Sequence, residues 1–335
     1  MWVLGWEAII EGGWVGVNVS FCYTPGAMAA AAEDFGGQTL SDGIRLHGWK
    51  FTTSQGPIAS TSELQTLKAQ LRDAVPDGPE FVPKLPEAVY LRNTLTLTHE
   101  ASGKEVRFDA QAALVRWLHS SLQHGSGGMT VPAADLTSWK SSREEKSGDK
   151  SERPDWDWTY STDYTGSTSG WVAHEGAGID GAMLRRRDVP VLFYADLPLF
   201  HDDLHDHGAS ELRVRIRVMP NCFFVLLRHF LRVDGAFIRQ RDARYFCKLF
   251  SADEVPTMPP SFVRLLRDGQ LALPPLPSAF PDTEGAALGQ VGYVDGGSAD
   301  TPRPALALAL PDEQTSAERL AAVPPELERT EELPI

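Results

Sequence analysis

The sequence has little cysteine and no long apolar run, and both shortages limit what the protein can be. Among 335 residues there are three cysteines, none in the CxxC spacing of a zinc knuckle: Cys22, Cys222 and Cys247. An odd number of separated cysteines argues against a disulfide framework, so a reducing compartment is expected. The apolar N-terminal stretch has no basic region and is interrupted by Glu7 and Glu11, so it does not fit a signal peptide. No other stretch could span a bilayer, and no membrane partner is expected.

Positive charge is also in short supply. Lysine and arginine number 31 against 45 aspartate and glutamate residues, which gives a formal net charge of −14 and a pI near 5.1. Proteins that bind nucleic acids gain most of their affinity from a basic surface that neutralises phosphates. No nucleic-acid partner is therefore expected, although a local group of arginines could still bind an anion.

The patterns that are present indicate one domain with an extension at each end. Residues 1–42 have no clear period and are interpreted as a disordered N-terminal extension; if translation begins at Met28 instead, residues 1–27 are not part of the protein. Residues 43–250 form the predicted domain, in which the polar stretch 141–155 is a mobile loop. Residues 251–335 are rich in Pro and Ala and end in acidic residues, so this tail is expected to be mostly disordered.

Alternating apolar and polar residues predict strands joined by turns. The segments GIRLHGWKFTTS and ELRVRIRV are each typical of a strand, and NTLTLTHEASGKEVRFDA is typical of a hairpin. Helical spacing occurs in TSELQTLKAQLRD, capped by Thr61 or Ser62, and in DAQAALVRWLHSSL. The apolar stripe of the second helix consists of Ala113, Leu114, Trp117 and Leu118. The turns suggest antiparallel connections only, so the predicted class is α+β: a single domain with antiparallel sheets and flanking helices.

A second predicted hairpin is rich in arginine. In FFVLLRHFLRVDGAFIRQRDARYFCKLF two strands flank Asp234-Gly235, a dipeptide that two-residue type I′ turns prefer. Such a turn would pair Val233 with Ala236. It would place these residues on one face: Arg228, Phe230, Arg232, Phe237, Arg239 and Arg241. That face is either neutralised by nearby acids, or its guanidinium groups bind a carboxylate or phosphate of a partner.

The segment HDDLHDH contains residue types that bind metals. His201 and His205 are spaced i, i+4 and Asp203 lies between them, so a helical turn could present all three to one ion. A metal-dependent hydrolase built on these residues is the alternative function. Against it, the HExxH signature is absent and Gly208 would end a helix, which favours a solvated turn between strands.

Several segments, taken in order, resemble one protein family. They are GIRLHGWKFTTSQGPI, LPEAVYLRNTLTLTHEASGKEVRFDAQAAL, DWDWTYSTDYTG, FHDDLHDHGASELRVRIRVMP and FFVLLRHFLRVDGAFIRQRDARY. They are similar to the blocks of the TIPRL family, the TOR signalling pathway regulator-like or Tip-forty-one-like proteins. The resemblance implies a single α+β domain without enzymatic activity or cofactor. It implies a cytoplasmic regulator, with the nucleus as a second location, that binds catalytic subunits of type 2A serine/threonine phosphatases. Such a regulator would restrain these catalytic subunits and act in their assembly or turnover, with a link to TOR signalling.

The resemblance also implies where the partner binds. Members of the family contact the C-terminal tail of the phosphatase, and a TOR-pathway adaptor that associates with the phosphatase is a further expected partner. Carried over to this sequence, the expected contacts are Arg239, Arg241, Asp242 and Arg244 of the hairpin, with Trp158 and Tyr160 of the aromatic segment. Arginines could hold a terminal carboxylate, while Asp242 could orient an arginine or accept a backbone N–H.

Overall fold

The structure is a computed structural model of the chain. It describes residues 32–74, 85–123, 162–176, 178–204, 208–233, 237–250, 261–272 and 327–335. The predicted loop 141–155 and the residues Trp158, Tyr160 and His205 lie outside this part of the chain. None of the helices among the described residues has the length and hydropathy of a membrane span.

Strands make up most of the regular structure. In chain order they are β1 (Gln38–Thr39), β2 (Gly43–Leu46), β3 (Trp49–Ser54), β4 (Ala88–Val89), β5 (Thr94–His99), β6 (Lys104–Asp109), β7 (Val172–Ala173), β8 (Phe193–Asp202), β9 (Gly208–Met219), β10 (Cys222–Val233), β11 (Phe237–Lys248), β12 (Phe262–Ala272) and β13 (Leu327–Leu333). The helices whose full extent lies within the described residues are α1 (Thr61–Ala74), α2 (Ala110–Gln123) and the single turn α3 (Gly181–Leu184).

The strands form two antiparallel sheets. One has five strands in the order β1-β2-β3-β5-β6, and the other has eight in the order β4-β8-β9-β10-β11-β12-β13-β7. Each pair of neighbouring strands runs antiparallel. Two antiparallel sheets with few helices in one domain confirm the α+β class that the sequence predicts.

Aromatic rings fill the space between the two sheets. Trp49 and Phe51 of β3 meet Phe223 of β10, and Trp49 also meets Phe262 of β12, with ring centroids 4.9 to 5.2 Å apart in edge-on geometry. All four rings are buried. Burial of apolar area contributes about 25 cal/mol per Å², and edge-on aromatic pairs contribute further, so these contacts hold the sheets face to face.

Both long helices are anchored by the residues that begin or line them. The backbone N–H and the hydroxyl of Ser60 both donate to Glu63 Oε2, at 2.8 and 2.7 Å, which forms a capping box in front of α1. These hydrogen bonds, with a further one from Arg92, lower the pKa of Glu63 to about 2. The cap is therefore Ser60, and the prediction of Thr61 or Ser62 is wrong by one or two positions. In α2 the predicted apolar stripe is buried.

The segment GIRLHGWKFTTS forms two strands rather than one. β2 and β3 pair with each other around a turn at His47 and Gly48, where φ is 46° and 78°. Glycine adopts this left-handed region without steric cost, so Gly48 permits the turn. The alternation of apolar residues shifts by one position between Leu46 and Trp49, which marks the end of one strand and the start of the next. The prediction of a single strand overlooks this shift.

The hairpin of β10 and β11 has a longer connection than the sequence predicts. Val233 pairs with Phe237, so residues 234–236 connect the strands, and the predicted pairing of Val233 with Ala236 is wrong. The core explains this register. Tyr245 of β11 is fully buried on the face toward the five-stranded sheet, whereas a one-residue shift would turn it to the opposite face.

Two strands lie beyond Phe250, where the sequence predicts a mostly disordered tail. β12 pairs with β11 and β13 pairs with β12, so both belong to the eight-stranded sheet. β1 likewise lies within the predicted N-terminal extension and pairs with β2. In β12 the positions facing the core include the charged Arg264 and Asp268. This strand therefore lacks the clean alternation by which a strand is predicted.

Candidate partner-binding site

The structure divides the predicted contact residues of β11 between the two faces of the eight-stranded sheet. Neighbouring residues of a strand point to opposite faces. Arg239 and Arg241 lie on the face toward the five-stranded sheet, called the inner face, whereas Asp242 and Arg244 lie on the outer face with Arg228 of β10. The single arginine face expected from a two-residue turn is therefore wrong.

On the outer face, Asp242 lies between two arginines. Its side chain is 1% exposed. Arg228 donates to both carboxylate oxygens at 2.8 and 2.9 Å, and Nη2 of Arg244 donates to Oδ2 at 2.6 Å. Burial opposes the ionisation of Asp242, but the hydrogen bonds and charges of the two arginines outweigh it, so the pKa of Asp242 lies below its ordinary value. Asp242 thus orients two guanidinium groups across β10 and β11.

On the inner face, Asp268 of β12 has a similar position between Arg239 and Arg241. Arg239 donates Nε to Oδ1 at 3.0 Å and Nη2 to Oδ2 at 2.6 Å, and Nε of Arg241 donates to Oδ2 at 2.8 Å. Burial again opposes ionisation, and the hydrogen bonds and charges of both arginines lower the pKa of Asp268. This group links β11 to β12 directly, because Arg241 and Asp268 are paired positions.

A cavity of about 560 Å³ opens on the inner face beside this group. One side is residues 162–168, called the wall segment, and another is Arg116 of α2. The floor comes from β10, β11 and β12 and includes Leu227, His229, Arg241, Ala243, Leu266 and Asp268. A concave lining that combines apolar and charged side chains is typical of a ligand- or peptide-binding site.

The wall segment is attached to both sheets. The N–H of Ser167 donates to the carbonyl of Arg107 at 2.7 Å, so the segment pairs with the edge of β6. The hydroxyl of Tyr164 donates to the same carbonyl at 3.1 Å, and the hydroxyl of Tyr245 donates to the carbonyl of Thr165. Burial raises the pKa of Tyr164 and raises that of Tyr245 to about 12. Both hydroxyls therefore remain hydrogen-bond donors at neutral pH, and the cavity has a fixed side.

An exposed ion pair lies at the mouth of the cavity. Arg116 donates Nε to Oδ1 of Asp163 at 2.8 Å and Nη2 to Oδ2 at 2.6 Å. The two side chains are 47% and 42% exposed, and ion pairs this exposed contribute only about 0–1 kcal/mol. Little stability is therefore lost when a carboxylate of a partner replaces Asp163 at the Arg116 guanidinium.

Several residues that line the cavity are not predicted by the sequence patterns. Arg116 lies on the polar side of a predicted helix, Asp163 follows the aromatic segment, and Asp268 lies beyond the predicted domain. Only the pairing of strands and the packing of α2 bring these three to one cavity. An acid within the otherwise apolar and basic FVRLLRDG was a usable signal, because a lone carboxylate in a strand needs a partner.

The predicted metal ligands are not brought together among the described residues. The carboxylates whose oxygens lie within 4.8 Å of one another belong to Glu87, Asp202 and Asp203, and His201 is not among them. The Asp202 carboxylate accepts the backbone N–H groups of Leu204 at 2.8 Å and of Glu87 at 3.1 Å. These bonds hold the end of β8 against the segment before β4, with Asp202 buried between them.

One protein family matches the part of the chain that contains the wall segment and most of the cavity floor. The model of the TIP41-like family matches residues 88–257, just over half of the chain. The chain belongs to the TIP41-like family. The resemblance seen in the sequence is thus confirmed.

TIP41-like relatives occur in animals, plants and fungi. The TIP41-like protein of Homo sapiens is 36% identical over 203 residues, which cover 59% of this chain and 68% of the human protein. The TIP41-like protein of Arabidopsis thaliana is 32% identical over 246 residues, which cover 67% of this chain and 78% of the plant protein. The Saccharomyces cerevisiae protein named type 2A phosphatase activator TIP41 is 26% identical over 220 residues, 61% of this chain and 58% of its own.

The TIP41-like match covers the cavity unevenly. It includes α2, the wall segment and β8 to β11, and it ends at residue 257, before β12 begins. Leu266 and Asp268 therefore lie outside the matched region although they line the same cavity as Arg241.

Proposed function

We propose that this chain is a non-enzymatic regulatory protein that binds the catalytic subunit of a type 2A serine/threonine phosphatase. Family membership carries the proposal, because relatives in Saccharomyces cerevisiae and Schizosaccharomyces pombe are named type 2A phosphatase activators. A link to TOR signalling, an adaptor of that pathway as a further partner, and a cytoplasmic or also nuclear location belong to the same proposal.

The effect proposed for the free catalytic subunit is restraint, followed by assembly or turnover. The yeast relatives are named activators. The two effects are compatible, since a subunit that is held inactive until its assembly can increase the amount of active enzyme afterwards.

The cavity on the inner face is the proposed site for the C-terminal tail of the catalytic subunit. Arg116 at its mouth and Arg241 on its floor can each bind a carboxylate through paired N–H donors. Leu227 and Leu266 supply apolar contacts, and an extended tail can also bond to exposed backbone. The described residues of the outer face line a shallower pocket of about 40 Å³, so the inner cavity, at about 560 Å³, is the better fit for a chain end that inserts its terminal residues.

Calorimetry with a purified type 2A catalytic subunit tests the function. The full chain is expected to bind at micromolar concentration or below and to slow hydrolysis of a phosphopeptide by the subunit. Arg241→Gln removes a charged donor, and Thr168→Trp fills the cavity without breaking an ion pair. Arg241→Gln is expected to weaken binding about tenfold, as the loss of one charge-assisted hydrogen bond would. Thr168→Trp is expected to weaken binding because the indole ring occupies the volume that the tail would fill.

Arg244→Gln is the matched control, because it lies on the same strand and is similarly exposed, 28% against 22% for Arg241. It should bind as the full chain does. No binding of the full chain would reject the function. If Arg244→Gln were the only variant to lose binding, the proposed function would stand, and the contact would lie on the outer face. Circular dichroism melting shows whether each variant is folded.

A further inference from the structure

The outer face of the eight-stranded sheet concentrates positive charge in an acidic protein. Among the arginines that strands β9 to β11 place on this face, four are called the outer arginine cluster: Arg213, Arg215, Arg228 and Arg244. Within the described part of the chain, their ion pairs are with three carboxylates, those of Asp196, Glu211 and Asp242. The cluster therefore has one guanidinium group in excess, on a chain whose formal net charge is −14.

The register forces two of these arginines together. Arg213 and Arg228 are directly opposite each other on β9 and β10, a position in which like charges destabilise a sheet. Glu211 and Oδ1 of Asp196 both accept from Arg213, and Asp242 accepts from Arg228. Because Oδ2 of Asp196 also accepts from Arg215 at 2.9 Å, three carboxylates are shared among four guanidinium groups. A further anion between these guanidinium groups would be stabilised.

Apolar side chains flank the charges. A shallow pocket of about 40 Å³, called the outer pocket, is lined by Glu211, Arg213, Arg215, Leu226, Arg228 and Phe230. Leu226, Arg228 and Phe230 alternate along the outer face of β10, and all three are half-buried. Because a guanidinium group has five N–H donors, Arg215, which is 44% exposed, can bind Asp196 and a second carboxylate. An extended peptide in which acidic and apolar residues alternate is complementary to this surface.

We propose that the outer pocket docks an acidic, extended segment of a partner protein. Carboxylates of Asp or Glu bind between the arginines, and apolar side chains of the segment contact Leu226 and Phe230. A carboxylate fits better than a phosphate, because Glu211 lines the same pocket and repels a dianion more strongly than a single charge. The site is on the opposite face from the cavity, so this partner can bind while the cavity is occupied.

Fluorescence anisotropy of the full chain with short labelled peptides tests this proposal. One peptide alternates Asp and Glu with Leu and Ser, and a second has each acid replaced by its amide. The acidic peptide is expected to bind, more weakly as salt rises because exposed ion pairs are screened, and the amide peptide is not. Arg215→Gln should weaken binding about fivefold, and Arg213→Gln combined with Arg215→Gln about tenfold or more.

Arg45→Gln is the matched control, since Arg45 is 43% exposed and forms one ion pair, with Glu100, far from the outer face. It should bind as the full chain does. Equal affinity of Arg215→Gln and the full chain, or tighter binding of a phosphoserine peptide or a DNA oligonucleotide, would overturn the proposal. Arg215→Gln is expected to bind the phosphatase subunit as the unsubstituted chain does. The peptide measurement and the phosphatase measurement therefore test the two proposals independently.

Discussion

A single glycine shapes the side of the cavity. Gly166 in the wall segment has a φ of 87°, and a Cβ at this position would lie 2.7 Å from a ring carbon of Phe108. Glycine alone combines this backbone region with such a close approach. The following residue, Ser167, pairs with Arg107, so Gly166 allows the wall segment to reach the five-stranded sheet.

Gly166→Ala is expected to destabilise the protein more than Gly48→Ala. Both positions have positive φ, but nothing lies within 4 Å of a Cβ at Gly48. Gly48→Ala therefore has the backbone cost alone, about 1 kcal/mol, whereas Gly166→Ala adds an overpacking cost of about 1–3 kcal/mol. Urea denaturation of the two variants measures the difference. Equal losses would show that Phe108 moves aside without cost.

Among the elements, β10, β11 and β12 are joined by ion pairs on both faces of the sheet. Asp242 on the outer face and Asp268 on the inner face each bind two arginines, and the pKa of each is lowered. A carboxylate of this kind stabilises the folded state while it is ionised. Its contribution is complete above the unfolded-state pKa of about 3.9 and is lost as the pH falls through the lower folded-state pKa.

Asp242→Asn should reduce the free energy of unfolding at neutral pH by about 2 kcal/mol, because Arg228 and Arg244 lose a buried charged partner. The variant should then lose less stability than the unsubstituted chain as the pH is lowered from about 5 to about 2. Denaturation at a series of pH values measures both effects. Asp42→Asn, at an exposed position, should leave the profile unchanged. A profile of Asp242→Asn parallel to that of the unsubstituted chain would contradict this account.

In the molecule as a whole, β13 joins the eight-stranded sheet although it lies far along the chain from both of its neighbouring strands. It lies between β12 and β7, and its Leu333 is buried. Arg264 of β12 binds Glu331 of β13, 67 residues away, and its guanidinium carbon lies 4.2 Å from the ring centre of Trp171. The buried charge of Arg264 is thus neutralised only when these distant segments come together.

Glu331→Gln is expected to cost about 3 kcal/mol, because it leaves the guanidinium of Arg264, whose side chain is 9% exposed, without its carboxylate. Glu328→Gln on the same strand is the matched control. Its ion pair with Arg267 is longer, at 3.5 Å, and Glu328 is 48% exposed, so its loss should cost less than about 1 kcal/mol. Thermal and urea denaturation compare the two. Similar losses would mean that β13 does not neutralise a buried charge.

Local patterns predicted those features that depend on residues a few positions apart. The alternation in β9 predicted the buried face of Leu212, Val214, Ile216 and Val218, and helical spacing predicted the buried stripe of α2. Turn length was not predictable in this way, because Asp234-Gly235 suits a two-residue turn and also fits the longer connection that is found. The residues of the cavity were only partly predicted, since Arg116, Asp163 and Asp268 come from three separate segments.

By itself, the sequence determined the α+β class, the antiparallel strands and the family, because periodicity and ordered blocks of residues are local properties. The tertiary structure decided which arginines act together. Burial of Tyr245 sets the register of β10 and β11, and that register separates Arg241 from Arg244 by the thickness of a sheet. It also decided which acids bind them, because Asp268 reaches Arg239 and Arg241 only through the pairing of β12.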